Sequence, residues 1–354
     1  MLQITEIPVP GYESVRRGID KDRGLHAIIA VHSTILGPAL GGMRLWPYRS
    51  EEEALYDVLR LSKGMTYKAA CAGLNLGGGK SVVIADPAHK CKELFQAVGE
   101  FVDSFGGKYT TAEDVNTNTE DMEIVSSRTR YVAGLKGRSG NPSPYTAHGC
   151  FVGLKATLEE VFGSSDLQGK TVAIEGGAGS VAGYYAELIV QAGGKVILAD
   201  IKDKEVRARA HKLGGSVVPP SEVFKQACDV YAPCALGGTL NAETIPQLRC
   251  KAVTGAANNQ LREPADGERL RARGILYAPD YVVNAGGLIN VSGEVGQSYD
   301  EKRSLAMMDK IYVNLKEIYA IAKKDGIPTS AAADRFAERR LDAARAAVKA
   351  KASA

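Results

Sequence analysis

Lys68 and Lys80 bracket a glycine-rich stretch, Gly73 followed by Gly77-Gly78-Gly79. Two lysines brought into one cleft raise each other's cost of ionisation, and burial adds to it. One can then stay cationic and hold a carboxylate while the other sheds its proton and acts as a base near neutral pH. The bland alternative is a pair of solvent-exposed lysines near a turn, and the residues alone leave it open. Gly77-Gly78-Gly79-Lys80-Ser81 also invites a phosphate-binding P-loop reading. That motif needs a glycine where Leu74 stands, and a helix after the loop. Ser81-Val82-Val83-Ile84 is instead β-branched strand sequence, so the P-loop is rejected.

A second constellation follows the apolar run Thr171-Val172-Ala173-Ile174, where the chain reads Glu175-Gly176-Gly177-Ala178-Gly179-Ser180-Val181-Ala182. From Gly177 onward this is Gly-x-Gly-x-x-Ala. Side chains at the two glycines would block the turn or the approach of a pyrophosphate, and the small third residue lets helix and strand pack closely. The following helix offers unpaired N–H groups to phosphates. Asp200 ends the next apolar run, where a dinucleotide site expects an acid to accept bonds from the ribose hydroxyls. Its charge also opposes a 2′-phosphate, which favours NAD over NADP, although Lys202 and Lys204 follow closely. Gly177, Ala178, Gly179, Ser180, Val181 and Asp200 are therefore the candidate cofactor residues of this segment.

These residues must be positioned by two kinds of scaffold. Before residue 137 short apolar strands mix with helices: His26–His32 reads as a strand, Ser50–Lys63 as a helix with a serine cap and three acids, and Ser81–Asp86 as a strand. Gly137–Pro144 is dense in turn formers and reads as an inter-domain hinge. Beyond it strands and helices alternate, with strands expected at 171–174, 195–199, 229–232, 252–255 and 275–278 and helices through Val190 and over 203–213. Such alternation predicts a parallel, doubly wound sheet of Rossmann type. Helical patterns over Glu301–Lys324 and Ser330–Lys349 close the chain, and the last is expected to pack back on the first domain. The expected fold is thus α/β with two domains separated by a cleft. Residues 1–137, completed by 328–354, form an N-terminal α/β substrate domain, and 138–327 form the NAD domain.

The remaining composition excludes more than it suggests. The 354 residues carry a formal charge of +3, too little to point to nucleic acid or acidic membranes. The basic residues from Arg339-Arg340 to Lys349 and Lys351 read as a solvated helix face. No apolar run approaches the ~20 residues that span a bilayer, and the N-terminus does not read as a signal peptide. The six cysteines are far apart and form no Cys-x-x-Cys, which predicts no metal site and thiols in a reducing, cytoplasmic compartment.

Several blocks resemble the Glu/Leu/Phe/Val dehydrogenase family, nearest its leucine dehydrogenases, with the phenylalanine and tryptophan enzymes as near relatives. They are Leu36–Gly42, Gly64–Lys68, Leu74–Lys80, Thr111–Val115, Ala232–Gly238, Gly255–Asn259, Tyr277–Tyr281 and Asn284–Gly287. The resemblance runs from about His26 to Ala343 and implies a homo-oligomer that converts an L-amino acid reversibly to its 2-oxo acid and ammonia with NAD. It implies that Lys68 binds the substrate carboxylate, helped by the Gly41-Gly42 backbone and Asn259. Lys80 would activate the water that adds to the imino carbon, and Asp114 would exchange protons with the amino nitrogen. Thr146, Asn284 and Ala256 would lie with the cofactor. Two departures stand out: Glu175 replaces the usual glutamine in a turn lengthened by one glycine, and Met43 stands where relatives often carry threonine.

The resemblance also bears on the substrate side chain. Glutamate-specific relatives place a lysine and a hydroxyl where this chain has Leu40 and Val291, so a γ-carboxylate would be buried unpaired, at a cost of several kcal/mol. Leu40, Met65, Ala112, Leu288 and Val291 are expected to surround an aliphatic chain of the leucine, valine or isoleucine type, unless each is simply core. Leu288 is bulkier than the valine of leucine dehydrogenases, and it lies one helical turn from Val291 if a helix starts at Gly286. A phenylalanine or tryptophan dehydrogenase is the second reading, and a catalytically silent NAD-binding sensor a remote third. A 2-hydroxy-acid dehydrogenase is disfavoured because the five histidines fall outside the glycine-rich blocks.

Overall fold

Two six-stranded sheets organise the computed structural model, which describes residues 1–296 and 298–352. Each sheet belongs to its own compact unit. The first unit is Met1–Asn141 with Val291–Glu301 and the chain from Ala337, and the second is Pro142–Asn290 with Lys302–Phe336.

In the first unit the strands are β1 (Gln3–Glu6), β2 (Ser14–Asp20), β3 (Leu25–Ser33), β4 (Ala39–Trp46), β5 (Gly77–Ile84) and β6 (Tyr109–Glu113). Their order is β1-β2-β3-β5-β4-β6; β1, β2, β3 and β5 pair antiparallel, and β4 runs parallel to both β5 and β6. The parallel pair is joined by helix α1 (Glu51–Cys71), where Ser50 caps the first turn by accepting from the Glu53 N–H. Helices α2 (Lys92–Asp103) and α3 (Thr119–Ser126) follow. Phe95, Phe101, Phe105, Tyr109 and Met122 fill the core against β3 and β4. Two expectations are corrected here. The helix opened by Ser50 runs past Lys63 to Cys71 and so carries Lys68, and the strand expected from Ser81 begins at Gly77. The glycine run is strand, not loop: a Cβ on Gly78 would lie 2.1 Å from the Thr66 backbone nitrogen. Glycine there lets β5 lie directly against α1, so the run serves packing of the chain on itself.

The second unit begins with α4 (Ser143–Phe162), whose first turn includes part of the stretch read as hinge. Pro144 is acceptable there because the first helical N–H groups have no partner to lose. The helix escaped sequence reading because apolar and small residues occupy most of its circumference, leaving little periodicity. Then come β7 (Thr171–Glu175), α5 (Ser180–Gln191), β8 (Lys195–Ala199), α6 (Asp203–Leu213), β9 (Ser216–Val217), β10 (Val230–Pro233), β11 (Ala252–Val253), α7 (Ala265–Ala272) and β12 (Leu276–Tyr277). All strands are parallel, ordered β12-β11-β10-β7-β8-β9. The chain leaves β7 in one direction and returns to β7's other side at β10. That is a topological switch point, where doubly wound sheets bind ligands.

Helices α8 (Asp280–Val283) and α9 (Gly286–Ser292) follow. The long helix expected over 301–324 is interrupted at Asp309 into α10 (Glu301–Met308) and α11 (Lys310–Asp325). Helix α12 (Thr329–Ala352) ends the described chain. Its basic residues are not all solvated. Arg340 donates to the Ala69 and Ala70 carbonyls and to Asn75 Oδ1, which closes the last turn of α1 beneath Lys68. Among the described residues no helix is long and apolar enough to cross a membrane.

Candidate active site

In the first unit the parallel strands β4, β5 and β6 bring the chemistry together. Lys80 on β5 is 5% exposed, and its Nζ lies 3.0 Å from Asp114 Oδ1, just beyond β6. The other oxygen, Oδ2, accepts from Arg44 Nε at 3.1 Å. Arg44 is itself anchored on α1, where Nη1 donates to Asp57 Oδ2 at 2.8 Å; Tyr48 and Arg60 also donate to Asp57. Burial pushes the Asp114 carboxyl up, but the Lys80 and Arg44 cations more than offset it and hold the pKa at about 2. Asp114 is therefore an ionised acceptor clasped by two cations.

The backbone around this pair is tightly packed. Gly42 leaves no room for a side chain, since a Cβ there would come 2.6 Å from the Glu113 oxygen and 2.8 Å from Asp114 Cβ. Gly41 lies against Met65 of α1, and Gly42 pairs with Ala112 across β4 and β6. Leu40, paired with Gly78, is buried at 1% exposure, and Val291 in the same unit is buried at 9%. Lys68 is half-buried in the last turn of α1, the turn that Arg340 holds.

Arg44 and Asp57 were missed by sequence reading. The signal was there for Arg44, because the two-residue period of a strand puts it on the same face as Gly42. Asp57 carries no local signal, since only the packing of α1 over β4 gives it a partner. Arg44→Gln should move the acid limb of the kcat/KM–pH profile upward by about one pH unit. The sign follows from charge: Arg44 is one of the cations that hold the Asp114 carboxyl down, so losing it eases protonation of Asp114. A limb that stays in place would remove Arg44 from the electrostatics of the pair.

In the second unit the cofactor residues expected from sequence follow the carboxyl ends of β7, β8 and β11, with Thr146 in α4 and Asn284 after α8. Gly176, at φ 75°, makes the sharp turn after β7, and a Cβ on it would lie 2.8 Å from the Ala235 nitrogen. The left-handed glycine is thus the one preceding the fingerprint counted from Gly177. Gly179 caps α5, whose first residues are Ser180 and Val181. Asp200 follows β8, and its Oδ2 accepts from the Ala178 N–H at 3.0 Å. Asn284 donates through Nδ2 to Asn258 Oδ1 at 2.8 Å and to the Ala256 carbonyl at 3.2 Å. Its own Oδ1 is buried and has no hydrogen-bond partner among the described residues. Thr146, in the first turn of α4, packs against Gly287 at the start of α9. Leu288, half-buried, and Val291 both lie on α9, so the helix expected after Gly286 is present. Asn259 is exposed, in the left-handed region at φ 53°.

Two family models cover most of the chain. Residues 13–131 match the Glu/Leu/Phe/Val dehydrogenase dimerisation domain, and residues 198–353 match the glutamate/leucine/phenylalanine/valine dehydrogenase model. The leucine dehydrogenase of Geobacillus stearothermophilus is 51% identical over 95% of this chain and 92% of its own. The valine dehydrogenase of Streptomyces virginiae is 46% identical over 95% of each chain. The crystal structure of L-tryptophan dehydrogenase from Nostoc punctiforme superposes with a TM-score of 0.83 at 43% identity, covering 95% of this chain and 97% of that one. The chain belongs to the Glu/Leu/Phe/Val dehydrogenase family. Dehydrogenases of this family need a nicotinamide cofactor. The second unit fits one: a glycine turn leads from β7 into α5 at the switch point, an acid follows β8, and the buried Asn284 Oδ1, without a hydrogen-bond partner among the described residues, is an acceptor for a carboxamide N–H.

Proposed function

We propose that the protein oxidatively deaminates an apolar aliphatic L-amino acid, reversibly, to its 2-oxo acid and ammonia with NAD. The observation that carries this reading is the buried Lys80–Asp114 pair at 3.0 Å, in a unit where Lys68 supplies a second cation. Lys68 binds the substrate carboxylate by a charge-assisted contact, with the Gly41-Gly42 backbone and Asn259 assisting. A nicotinamide cofactor held by the second unit would supply the acceptor for the hydride of the substrate Cα. Lys80, after giving up its own proton to solvent, takes a proton from the water that attacks the iminium carbon. The carbinolamine then collapses as its hydroxyl proton leaves to solvent and the C–N bond breaks. Asp114, ionised and aimed by Arg44, accepts a proton from the amino nitrogen and returns it to the departing ammonia. Thr146, Ala256 and Asn284 orient the nicotinamide amide.

Leu40, Met65, Ala112, Leu288 and Val291 offer only apolar surface to the side chain, which disfavours a charged substrate. NAD is preferred over NADP because the Asp200 carboxylate opposes a 2′-phosphate. The matched dimerisation model supports a homo-oligomer, and the unpaired spacing of the cysteines supports a cytoplasmic site of action. An aromatic substrate is the second reading, favoured by the likeness to the tryptophan dehydrogenase. The test is a panel of L-amino acids assayed by NADH and NADPH absorbance. Leucine, valine and isoleucine with NAD should give the highest kcat/KM. Preference for phenylalanine or tryptophan would overturn the aliphatic reading, and equal use of NADP would overturn the role of Asp200.

A further inference from the structure

Arg209, half-buried on α6, reaches across α5 to the dinucleotide turn. Its Nη1 donates to the carbonyl oxygens of Gly177 at 2.6 Å and Gly179 at 2.7 Å. The path exists because residue 183, in the second turn of α5, is glycine: a Cβ there would lie 2.6 Å from the guanidinium carbon. The cation does nothing for α5 itself, since it stands by the helix N-terminus, the end that favours negative charge. What the contact does is orient peptides.

In a trans peptide the C=O and the following N–H point in opposite directions. Turning the Gly177 carbonyl toward Arg209 therefore turns the Ala178 N–H away from it, and that N–H meets Asp200 Oδ2 at 3.0 Å. Turning the Gly179 carbonyl toward Arg209 likewise turns the Ser180 N–H away, and this is the first of the N–H groups that a helix leaves without an internal partner. The turn carries glycines at 176, 177 and 179, and each brings backbone freedom that must be suppressed before a ligand is held. We propose that Arg209 is a positioning residue for the nicotinamide cofactor: it pins two peptides of the glycine turn, so that the Ala178 N–H holds Asp200 and the Ser180 N–H is turned away from Arg209 to meet the cofactor. The proposal rests on reading this turn as the cofactor site.

The test is NADH binding to the intact protein, followed by the fluorescence of NADH without turnover. Arg209→Met should raise the NADH Kd about tenfold, as expected for losing charge-assisted bonds. Gly183→Ala keeps the arginine but puts a methyl group in its path, and should raise Kd to a similar extent. The double variant should bind no more weakly than either single one, because both changes break the same contact. Arg209→Lys, which can still reach one carbonyl, should recover part of the affinity. A Kd within twofold of wild type in both single variants, or losses that add in the double variant, would overturn the role of Arg209. If Arg209→Met fails to fold, Gly183→Ala and Arg209→Lys still decide the matter. A wild-type protein that does not bind NADH, or an Asp200→Ala variant that binds NADH and NADPH as wild type does, would instead overturn the cofactor-site reading beneath the proposal.

Discussion

Lys80→Ala should lower kcat by about a thousandfold, within the range of roughly 10²–10⁴ that a positioned general base contributes. The side chain is buried and its Nζ is bonded to Asp114, so no bulk water stands ready to replace it. Asp114 keeps Arg44 as a partner, which should limit the accompanying loss of stability. Lys80→Arg separates charge from basicity. Arginine keeps the cation beside Asp114 but cannot release its proton near neutral pH, so this variant should be as inactive as Lys80→Ala. Stopped-flow turnover and NADH affinity should be measured together, because the residues proposed to hold the cofactor lie in the other unit and the Kd for NADH should hold. Turnover within a few-fold of wild type in Lys80→Ala would remove Lys80 from the mechanism. Activity in Lys80→Arg alone would show that the charge, not the base, is what the reaction uses.

Gly41→Ala should be the most destabilising single methyl in the first unit. Its Cβ would lie 1.8 Å from the Gly79 oxygen and 2.7 Å from the Gly79 carbonyl carbon, both backbone atoms of the neighbouring strand. Neither can swing aside as a side chain would. The Gly41 carbonyl also accepts from Tyr109 OH at 2.6 Å, and the Tyr109 ring is fully buried beside Gly79, so there is no slack on the far side. Overpacking of this kind costs about 3 kcal/mol or somewhat more. At roughly 2–4 °C per kcal/mol for a larger domain, Tm should fall by roughly 6–12 °C. Gly64→Ala is the control. That glycine is exposed within α1 and a Cβ there meets nothing within 4 Å. Alanine there should stabilise by about 0.5–1 kcal/mol through helix propensity. Calorimetry of the two proteins reads both effects, and a Gly41→Ala protein that melts with wild type would mean that β4 and β5 can separate freely. Separation should also cost activity, since β5 carries Lys80 while β4 carries Arg44.

The second unit was the more legible half of the chain. A parallel sheet is buried on both faces, so its strands appear as short apolar runs between turn formers, and a dinucleotide turn must use glycines where backbone and phosphate meet. Thr171–Ile174, Lys195–Ala199 and Asp200 could therefore be placed from residue types alone. The first unit was harder. Its glycine blocks carry no strand signal, because glycine lacks the β-branched side chain that marks strands, yet Gly41, Gly42, Gly77, Gly78 and Gly79 all lie in strands. What they share is a close neighbour contributed by a distant segment, and no local pattern shows that.

The same division separates the residue types from their working state. The sequence by itself determined two units of α/β type, a dinucleotide turn with its acid, and two lysines and an aspartate whose motifs match one family. Those are consequences of short-range chemistry: backbone conformation, strand and helix period, and motif spacing. Only the tertiary structure decided that Asp114 is clasped by Lys80 and Arg44, that Asp57 anchors Arg44, and that Arg340 closes the turn bearing Lys68. It alone decided that Arg209 can reach the Gly177 and Gly179 carbonyls over Gly183. The physical reason is that an ionised group's state depends on charges and solvent within a few ångströms in space. Those neighbours come from strands and helices that the chain brings together only by folding.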